Sequence, residues 1–174
     1  FADFEDCCYK GSMHENWKRW GGKEKVVGYL TAQIRKYKPD VIVTHGFNGE
    51  YGHPNHQLTA LAVADAYFTA ADSSAYTEQL DSLQVWQTKK LYIHNYQNYG
   101  RVTTHSWTEN YEALDGRSPI EVINEGMKHH ESQGKPQANA EACKKFGLYA
   151  TQVGQDSIAH NDFFENVDVG QYHK

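Results

Sequence analysis

The chain of 174 residues has the length of one domain, and its 39% hydrophobic and 13% aromatic residues exclude disorder throughout. The net charge of −5, with acids and bases interspersed, leaves no basic stripe and disfavours nucleic acid as a partner. No apolar stretch is long enough to span a membrane, and Cys7, Cys8 and Cys143 match neither a disulfide framework nor a zinc ribbon. We therefore expect a soluble, cytoplasmic protein with free thiols.

The first elements in chain order lead up to a buried strand. Residues 1–22 are rich in aromatic side chains but show no regular period, which predicts an irregular connection. Apolar residues then recur at helical spacing and predict a helix over residues 23–36, which Pro39 ends. The apolar run at residues 40–44 predicts a parallel strand covered on both faces.

A loop rich in functional side chains follows this strand and reads Asn-Gly-Glu-Tyr-Gly-His-Pro-Asn-His from Asn48 to His56. Two histidines at this spacing arise by chance in roughly one chain of two with this histidine content, so the pair alone proves little. Its position is more informative, because ligands of open parallel sheets gather beyond the carboxyl ends of the strands. The Ala-rich run at residues 58–71 predicts a helix after the loop.

The second half of the chain continues the alternation of strands and helices. Residues 89–94 predict a strand that completes a strand-helix-strand unit, and residues 101–105 predict a short one. Ser118, followed by Pro119 and Glu121, is typical of a helix start, and we expect that helix to reach residue 132. A further helix is predicted over residues 139–145, before an aromatic and polar tail that packs against the domain.

Three motifs in consistent order resemble the LmbE-like or PIG-L family of zinc-dependent N-deacetylases, over roughly residues 24–166. The first is the strand, the His-Pro-Asn-His loop and the Ala-rich helix. The second is Lys-His-His-Glu-Ser-Gln at residues 128–133, and the third combines residues 146–149 with residues 161–164. The resemblance implies an α/β fold, a Rossmann-like three-layer domain with a mainly parallel sheet.

The resemblance also implies a reaction and assigns residues to it. Family members remove the acetyl group from N-acetylglucosamine-type sugars by means of a zinc-activated water. By the motif, His56 is a zinc ligand, His53 lies near the reacting carbonyl, and Tyr51 holds the substrate oxygen. The partner is then an N-acetylated amino sugar, and an assembly into trimers or hexamers is expected by analogy.

Two departures from the family pattern limit these expectations. The aspartate between the family's two histidines is Asn55 here, which removes the carboxylate that would orient His53 and lowers the pKa expected for its imidazolium. The family's Ala-His-Pro-Asp-Asp motif, which supplies two further zinc ligands and the general base, has no counterpart in these 174 residues. We expect a single domain that lacks this amino-terminal segment, or one half of a split protein that a complementing fragment completes.

Each candidate residue also has an ordinary structural interpretation. His56 is also explained as a surface histidine, His53 as a loop residue bound to backbone, and Asn55 as a helix N-cap. Tyr51 fits loop packing, and Glu50 is interpreted as a solvated carboxylate or one that faces the helix dipole. Secondary candidates are His45, at the strand end, and His130 and Gln133, near a helix end.

Two other functions compete with the deacetylase. An inactive module that binds carbohydrate or supports assembly would keep the fold without the metal. Nucleotide binding is disfavoured, because neither a G-x-G-x-x-G nor a Walker-type loop follows a predicted strand.

Overall fold

The computed structural model describes residues 2–5, 11–96, 102–104, 107–131, 134, 136–139, 145–157 and 162–170, and at 102–104 it describes the backbone. The three cysteines, Gln133 and Asn161 lie outside these residues, as do residues 140–144 of the helix predicted over 139–145. Among the described residues, each helix is too short or too polar to span a lipid bilayer.

Four strands form one mixed sheet in the order β1-β2-β4-β3. They are β1 (Val41–Thr44), β2 (Lys90–His94), β3 (Val102–Thr104) and β4 (Lys145–Thr151). β1 and β2 pair in parallel, whereas β4 runs antiparallel to both β2 and β3. The α/β class is therefore confirmed, but a mainly parallel, Rossmann-like sheet is not, since two of the three described pairings are antiparallel.

The helices are α1 (Met13–Arg19), α2 (Lys23–Tyr37), the short irregular α3 (Gly49–Gly52), α4 (Pro54–Thr69) and α5 (Pro119–Met127). Short 3₁₀ helices lie at Thr77–Asp81 and Glu112–Leu114. The predictions of α2, β1, α4, β2 and β3 are confirmed to within a few residues.

The expectation of an irregular amino-terminal connection is wrong for α1. Ser12 accepts a hydrogen bond from the Glu15 backbone N–H, and the Glu15 carboxylate bonds back to the Ser12 N–H, which forms a capping box. The buried residue of this helix is the polar Asn16. A search for apolar periodicity therefore missed the helix, although its capping motif is visible in the sequence.

One helix end, one tail segment and the burial of β1 also differ from the predictions. α5 begins at the predicted capping box of Ser118 and Glu121. It ends at Met127 and not at residue 132, because the backbone from residue 128 to 130 forms i→i+3 hydrogen bonds in place of the helical i→i+4 bonds. The tail segment at residues 146–149 is part of a strand, β4. β1 is not covered on both faces within the described residues, because Val43 is 43% exposed.

α4 is the central helix of the fold. One side packs against α1 and α2 in a core that includes Leu58, Ala62 and Ala66, and another side packs against Leu91 and Ile93 of β2. Alternate residues of β2, Lys90 and Tyr92, point to the opposite face and are also fully buried. β2 is therefore covered on both faces, and the loop between β1 and α4 is held at the carboxyl end of the parallel pair.

Candidate active site

The loop between β1 and α4 makes a tight reversal that depends on glycine. A Cβ atom at Gly46 would lie 2.7 Å from the backbone oxygen of His94, so the loop approaches the end of β2 as closely as a glycine permits. Gly49 has a φ of +70°, and a Cβ there would lie 2.7 Å from Cγ of Gln57. These approaches bring the loop against both β2 and the first turn of α4.

Three imidazole rings stack beside this reversal. The ring of His56 lies between those of His45, at a centroid distance of 4.4 Å, and His53, at 4.6 Å. The ring of Tyr51 meets His56 edge-on at 5.5 Å and His53 at 6.0 Å. The structure therefore brings together Tyr51, His53 and His56, which the motif singled out, with the secondary candidate His45.

The surroundings of His56, the central ring, favour its neutral form. Burial lowers the pKa of its imidazole, and the neighbouring His45 and His53 lower it further, against a smaller opposing effect of Glu50. Its Nδ1 is buried and has no hydrogen-bond partner among the described residues. A neutral imidazole is the form that ligates metals, so this environment suits a ligand nitrogen.

His53, and not Asn55, is the N-cap of α4, and the expectation that Asn55 caps the helix is wrong. Pro54 occupies the first helical position, so the N-cap is the residue directly before it, His53, which has extended backbone angles. Nδ1 of His53 accepts a hydrogen bond of 3.2 Å from the Asn55 backbone N–H. An accepting Nδ1 places the proton of the neutral ring on Nε2, so His53 has an N–H donor on its far side.

The Asn55 side chain is directed to a neighbouring helix. Its Oδ1 accepts a hydrogen bond of 2.8 Å from Nδ2 of the buried Asn16 in α1. The amide thus helps fix α1 against the start of α4, whereas the Asn55 backbone contacts the His53 ring.

Glu50 is more buried and more fully hydrogen-bonded than the sequence indicated. Its side chain is 18% exposed and lies between His45 and His94, so the interpretation as a solvated carboxylate is wrong. Oε1 accepts from the Gly46 N–H at 2.9 Å and lies 3.4 Å from Nδ1 of His45, while Oε2 bonds Nδ1 of His94. Burial raises the pKa of Glu50, but the hydrogen bonds from His45, His94 and Gly46 outweigh burial and hold this pKa well below its ordinary value.

Sequence reasoning missed His94 as a member of the site. It ends β2, and His45 directly follows β1. Because the carboxyl ends of parallel strands meet at one edge of a sheet, two histidines at the ends of paired strands were a usable signal.

A cavity of about 890 Å³ opens beside this edge of the sheet. Its lining includes His45, Glu50, Tyr51, His94, Asn139 and Phe146. In the described part of the chain, His53 and His56 do not line the cavity but stack behind His45, and His130 lies exposed beyond the end of α5. The volume and the mix of amide, imidazole and aromatic groups suit a small polar ligand.

The state of Glu50 gives a testable pH dependence of stability. Its pKa in the folded chain lies below the ordinary value of 4.5, so the unfolded chain binds the proton first as the pH falls. The stabilising contribution is therefore complete above pH 4.5 and is lost below it. The free energy of unfolding is measured by urea denaturation at a series of pH values from about 6 to 3. We expect it to fall less steeply with pH in Glu50→Gln than in wild type, whereas the exposed Glu112→Gln should follow the wild-type curve. Equal slopes in wild type and Glu50→Gln would contradict this.

The described residues do not by themselves complete a metal centre. No group of three His, Cys, Asp or Glu side chains in the described ranges is arranged to hold a metal ion. His56 offers one nitrogen, whereas a catalytic zinc site normally has three protein ligands.

Comparison with known proteins gives partial matches to amide-cleaving enzymes. The chain is 38% identical over 69 residues to a 1D-myo-inositol 2-acetamido-2-deoxy-alpha-D-glucopyranoside deacetylase of Rhodococcus erythropolis, and this covers 40% of the chain and 22% of that enzyme. It is 41% identical over 63 residues to an enzyme of the same name from Thermobifida fusca, with 36% and 20% covered. A mycothiol S-conjugate amidase of Streptomyces coelicolor is 35% identical over 81 residues, with 47% and 27% covered.

The matched segment thus spans about a quarter of the length of these relatives. No protein-family model matches the chain.

Proposed function

We propose that this chain belongs to a hydrolase that removes the N-acetyl group from an N-acetylglucosamine-type sugar or glycoconjugate. The observation that carries the proposal is the packing of Tyr51, His53 and His56 in one cluster at the carboxyl end of a parallel strand pair. The relatives with deacetylase and amidase names support the same reaction class, which is cleavage of an amide bond.

His53 is proposed to stabilise the oxygen of the acetyl group during hydrolysis. Its Nδ1 accepts from the Asn55 backbone N–H, so the neutral ring carries its proton on Nε2. Stabilisation of an oxyanion by this N–H requires the acetyl group to lie within hydrogen-bond distance of Nε2, beyond the part of the cavity lined by His45 and Tyr51. Asn55 is proposed to hold this ring in place through its backbone, without the carboxylate that the family motif would provide.

Tyr51 is proposed to contact the substrate from the wall of the cavity. Its side chain is 65% exposed, lines the cavity and meets the rings of His53 and His56 edge-on. A phenol in this position has a hydroxyl that both donates and accepts hydrogen bonds, which suits the acetamido group of an amino sugar.

His56 is proposed as one ligand of a catalytic zinc ion whose other ligands lie outside the described residues. Its lowered pKa and its buried Nδ1, which has no hydrogen-bond partner among the described residues, support this assignment. The described donor set does not fit a complete zinc site, so no step of the reaction is assigned to the metal. Relatives several times longer than the matched segment leave room for ligands from another segment or from a complementing fragment.

The incomplete donor set equally favours a second candidate function. A module that binds carbohydrate or supports assembly without metal would need the cavity but not the zinc ligands. Zinc affinity separates the two functions, because the hydrolase needs His56 as a ligand and the module does not.

We expect His56→Ala to weaken zinc binding by more than about 100-fold, since it removes a ligand and not merely a supporting contact. The measurement is zinc affinity by competition with a chromophoric chelator, on the longest product of its gene, since the described residues alone do not complete a zinc site. His129→Ala, an exposed histidine beyond α5, is the matched control and should retain wild-type affinity. Equal affinities of wild type and His56→Ala would refute the ligand assignment, and no zinc binding in the longest product would favour the metal-free module.

We expect His53→Ala to reduce the rate of acetate release from an N-acetylglucosaminide by about 100-fold, which is typical for the loss of one oxyanion donor. The loss should fall on kcat rather than on KM, because the donor acts in the transition state. A change in KM alone would instead identify His53 as a residue for substrate binding. The test requires the catalytically complete form of the protein.

A further inference from the structure

Glu50 occupies a backbone conformation that L-residues rarely adopt, with φ 67° and ψ −65°. Such a conformation costs about 1–3 kcal/mol and persists only where the surroundings enforce it. Glycine tolerates a positive φ without strain, and the nearby Gly49 and Gly52 also have positive φ values, of 70° and 87°. Contacts of the Glu50 side chain must therefore offset the strain of its backbone.

The side chain of Glu50 is fixed by three nitrogen atoms. Oε1 accepts from the Gly46 N–H and faces Nδ1 of His45, and Oε2 faces Nδ1 of His94. The two histidines lie at the ends of the parallel strands β1 and β2, and both line the cavity. One carboxylate thus joins the two strand ends at the cavity wall.

An ionised carboxylate only accepts hydrogen bonds, so each Nδ1 that faces Glu50 must be the protonated nitrogen. In the neutral ring, Nε2 is then a hydrogen-bond acceptor. His53 has the opposite arrangement, because its Nδ1 accepts from Asn55 and its Nε2 carries the proton. His45 and His94 therefore carry the proton on Nδ1, whereas His53 carries it on Nε2, and a different neighbour sets each tautomer.

We propose that Glu50 is a positioning residue that fixes His45 and His94 in the tautomer protonated on Nδ1, so that His45 offers an acceptor at Nε2 to the hydroxyl or amide N–H groups of a ligand in the cavity. The role of Glu50 goes beyond the proposed function and is independent of it. The choice of an N-acetylated amino sugar as the ligand rests on the proposed function.

The tautomers are measured directly by long-range proton–nitrogen NMR on the ¹⁵N-histidine-labelled chain, at about pH 8, where an ordinary imidazole is neutral. His45→Gln and His94→Gln assign the signals. The wild type should show both rings protonated on Nδ1. A wild type in which both rings are protonated on Nε2 would overturn the proposal.

Glu50→Gln is the sharpest variant, because a carboxamide presents one acceptor and one donor where the carboxylate presents two acceptors. At least one of the two rings must then change to the tautomer protonated on Nε2. Glu112→Gln, an exposed carboxylate, should leave both signals unchanged. An unchanged spectrum in Glu50→Gln would overturn the proposal.

Glu50→Gly and Glu50→Ala separate the strained backbone from the side chain. Both remove the carboxylate and should leave both rings without a fixed tautomer, but only glycine relieves the positive φ. We expect Glu50→Gly to fold with a higher Tm than Glu50→Ala. If both variants fail to fold, Glu50 serves the fold rather than the cavity, and the positioning role is refuted.

Binding of N-acetylglucosamine as a probe tests the ligand. Glu50→Gln should weaken its affinity by about 10-fold, the equivalent of one hydrogen bond. If the wild type shows the expected tautomers but the longest gene product does not bind this sugar, the proposed substrate is refuted while the role of Glu50 stands. If the sugar binds equally to wild type and Glu50→Gln, the acceptor role of His45 is refuted.

Discussion

Replacing Arg35 by methionine is expected to lower the free energy of unfolding by about 3–5 kcal/mol, because it removes a buried cation that several acceptor oxygens share and not a surface contact. Arg35 lies in α2 and is only 1% exposed. Methionine keeps much of the apolar stem but removes every hydrogen-bond donor of the guanidinium. Urea denaturation monitored by circular dichroism measures the loss.

The size of the expected loss in unfolding free energy follows from the number of hydrogen-bond acceptors that Arg35 contacts. Six acceptor oxygens lie 2.8–3.2 Å from the guanidinium nitrogens and share its five N–H donors: one is Oε1 of Gln79 and the others are backbone carbonyl oxygens. Those carbonyls belong to the end of α4 and the turn that follows it: Thr69, Ala70, Asp72, Ala75 and Tyr76. The cation thus pairs with the negative end of the helix that carries the histidine cluster at its other end.

Two further variants sharpen the test of Arg35. Lysine keeps the charge but not the planar fork of donors, so Arg35→Lys should lie between methionine and wild type. Lys36→Met, at the exposed neighbouring position of the same helix, should change the free energy of unfolding by less than about 0.5 kcal/mol. A loss below about 1.5 kcal/mol in Arg35→Met would show that water replaces the lost donors and that the network is not a major source of stability.

Features with local causes were predictable from the sequence. The capping box of Ser118 and Glu121 starts α5 as predicted, since its two partners are three residues apart. The unit of β1, α4 and β2 was predictable because its apolar runs and helical spacing are continuous along the chain.

Features that depend on distant residues were not predictable in this way. β4 is a strand because it lies between β2 and β3, and the aromatic and polar mixture at residues 146–149 does not show this by itself. The role of Glu50 depends on His94, which is 44 residues away in the sequence. The motif identified the histidines of the loop, but only the pairing of β1 with β2 brings the carboxylate and His94 to the same cavity.

The second large effect is expected at the opposite face of β2, where Lys90 forms a buried ion pair with Asp156. Their side chains are 0% and 3% exposed, and Nζ of Lys90 also donates to the Tyr92 hydroxyl at 3.1 Å. Lys90→Met should lower the free energy of unfolding by about 3–5 kcal/mol, because it leaves a buried carboxylate without its countercharge. The measurement is again urea denaturation, on each single variant and on the double variant.

The double variant Lys90→Met/Asp156→Leu decides whether the cost comes from an unpaired charge or from lost packing. Replacing both charges by apolar groups leaves neither ion unpaired, so we expect it to recover at least half of the loss caused by Lys90→Met alone. Additive losses would attribute the cost to packing instead.

The ion pair also supports a wall of the cavity. Asp156 bonds Tyr92, the Tyr92 ring packs on Phe163 at 4.7 Å, and Phe163 packs on Phe146, which lines the cavity beside His94. Lys90→Met should therefore shift the His94 imidazole signals as well as lower stability. Unchanged His94 signals in a folded Lys90→Met variant would show that the ion pair fixes the carboxyl-terminal segment without reaching the cavity.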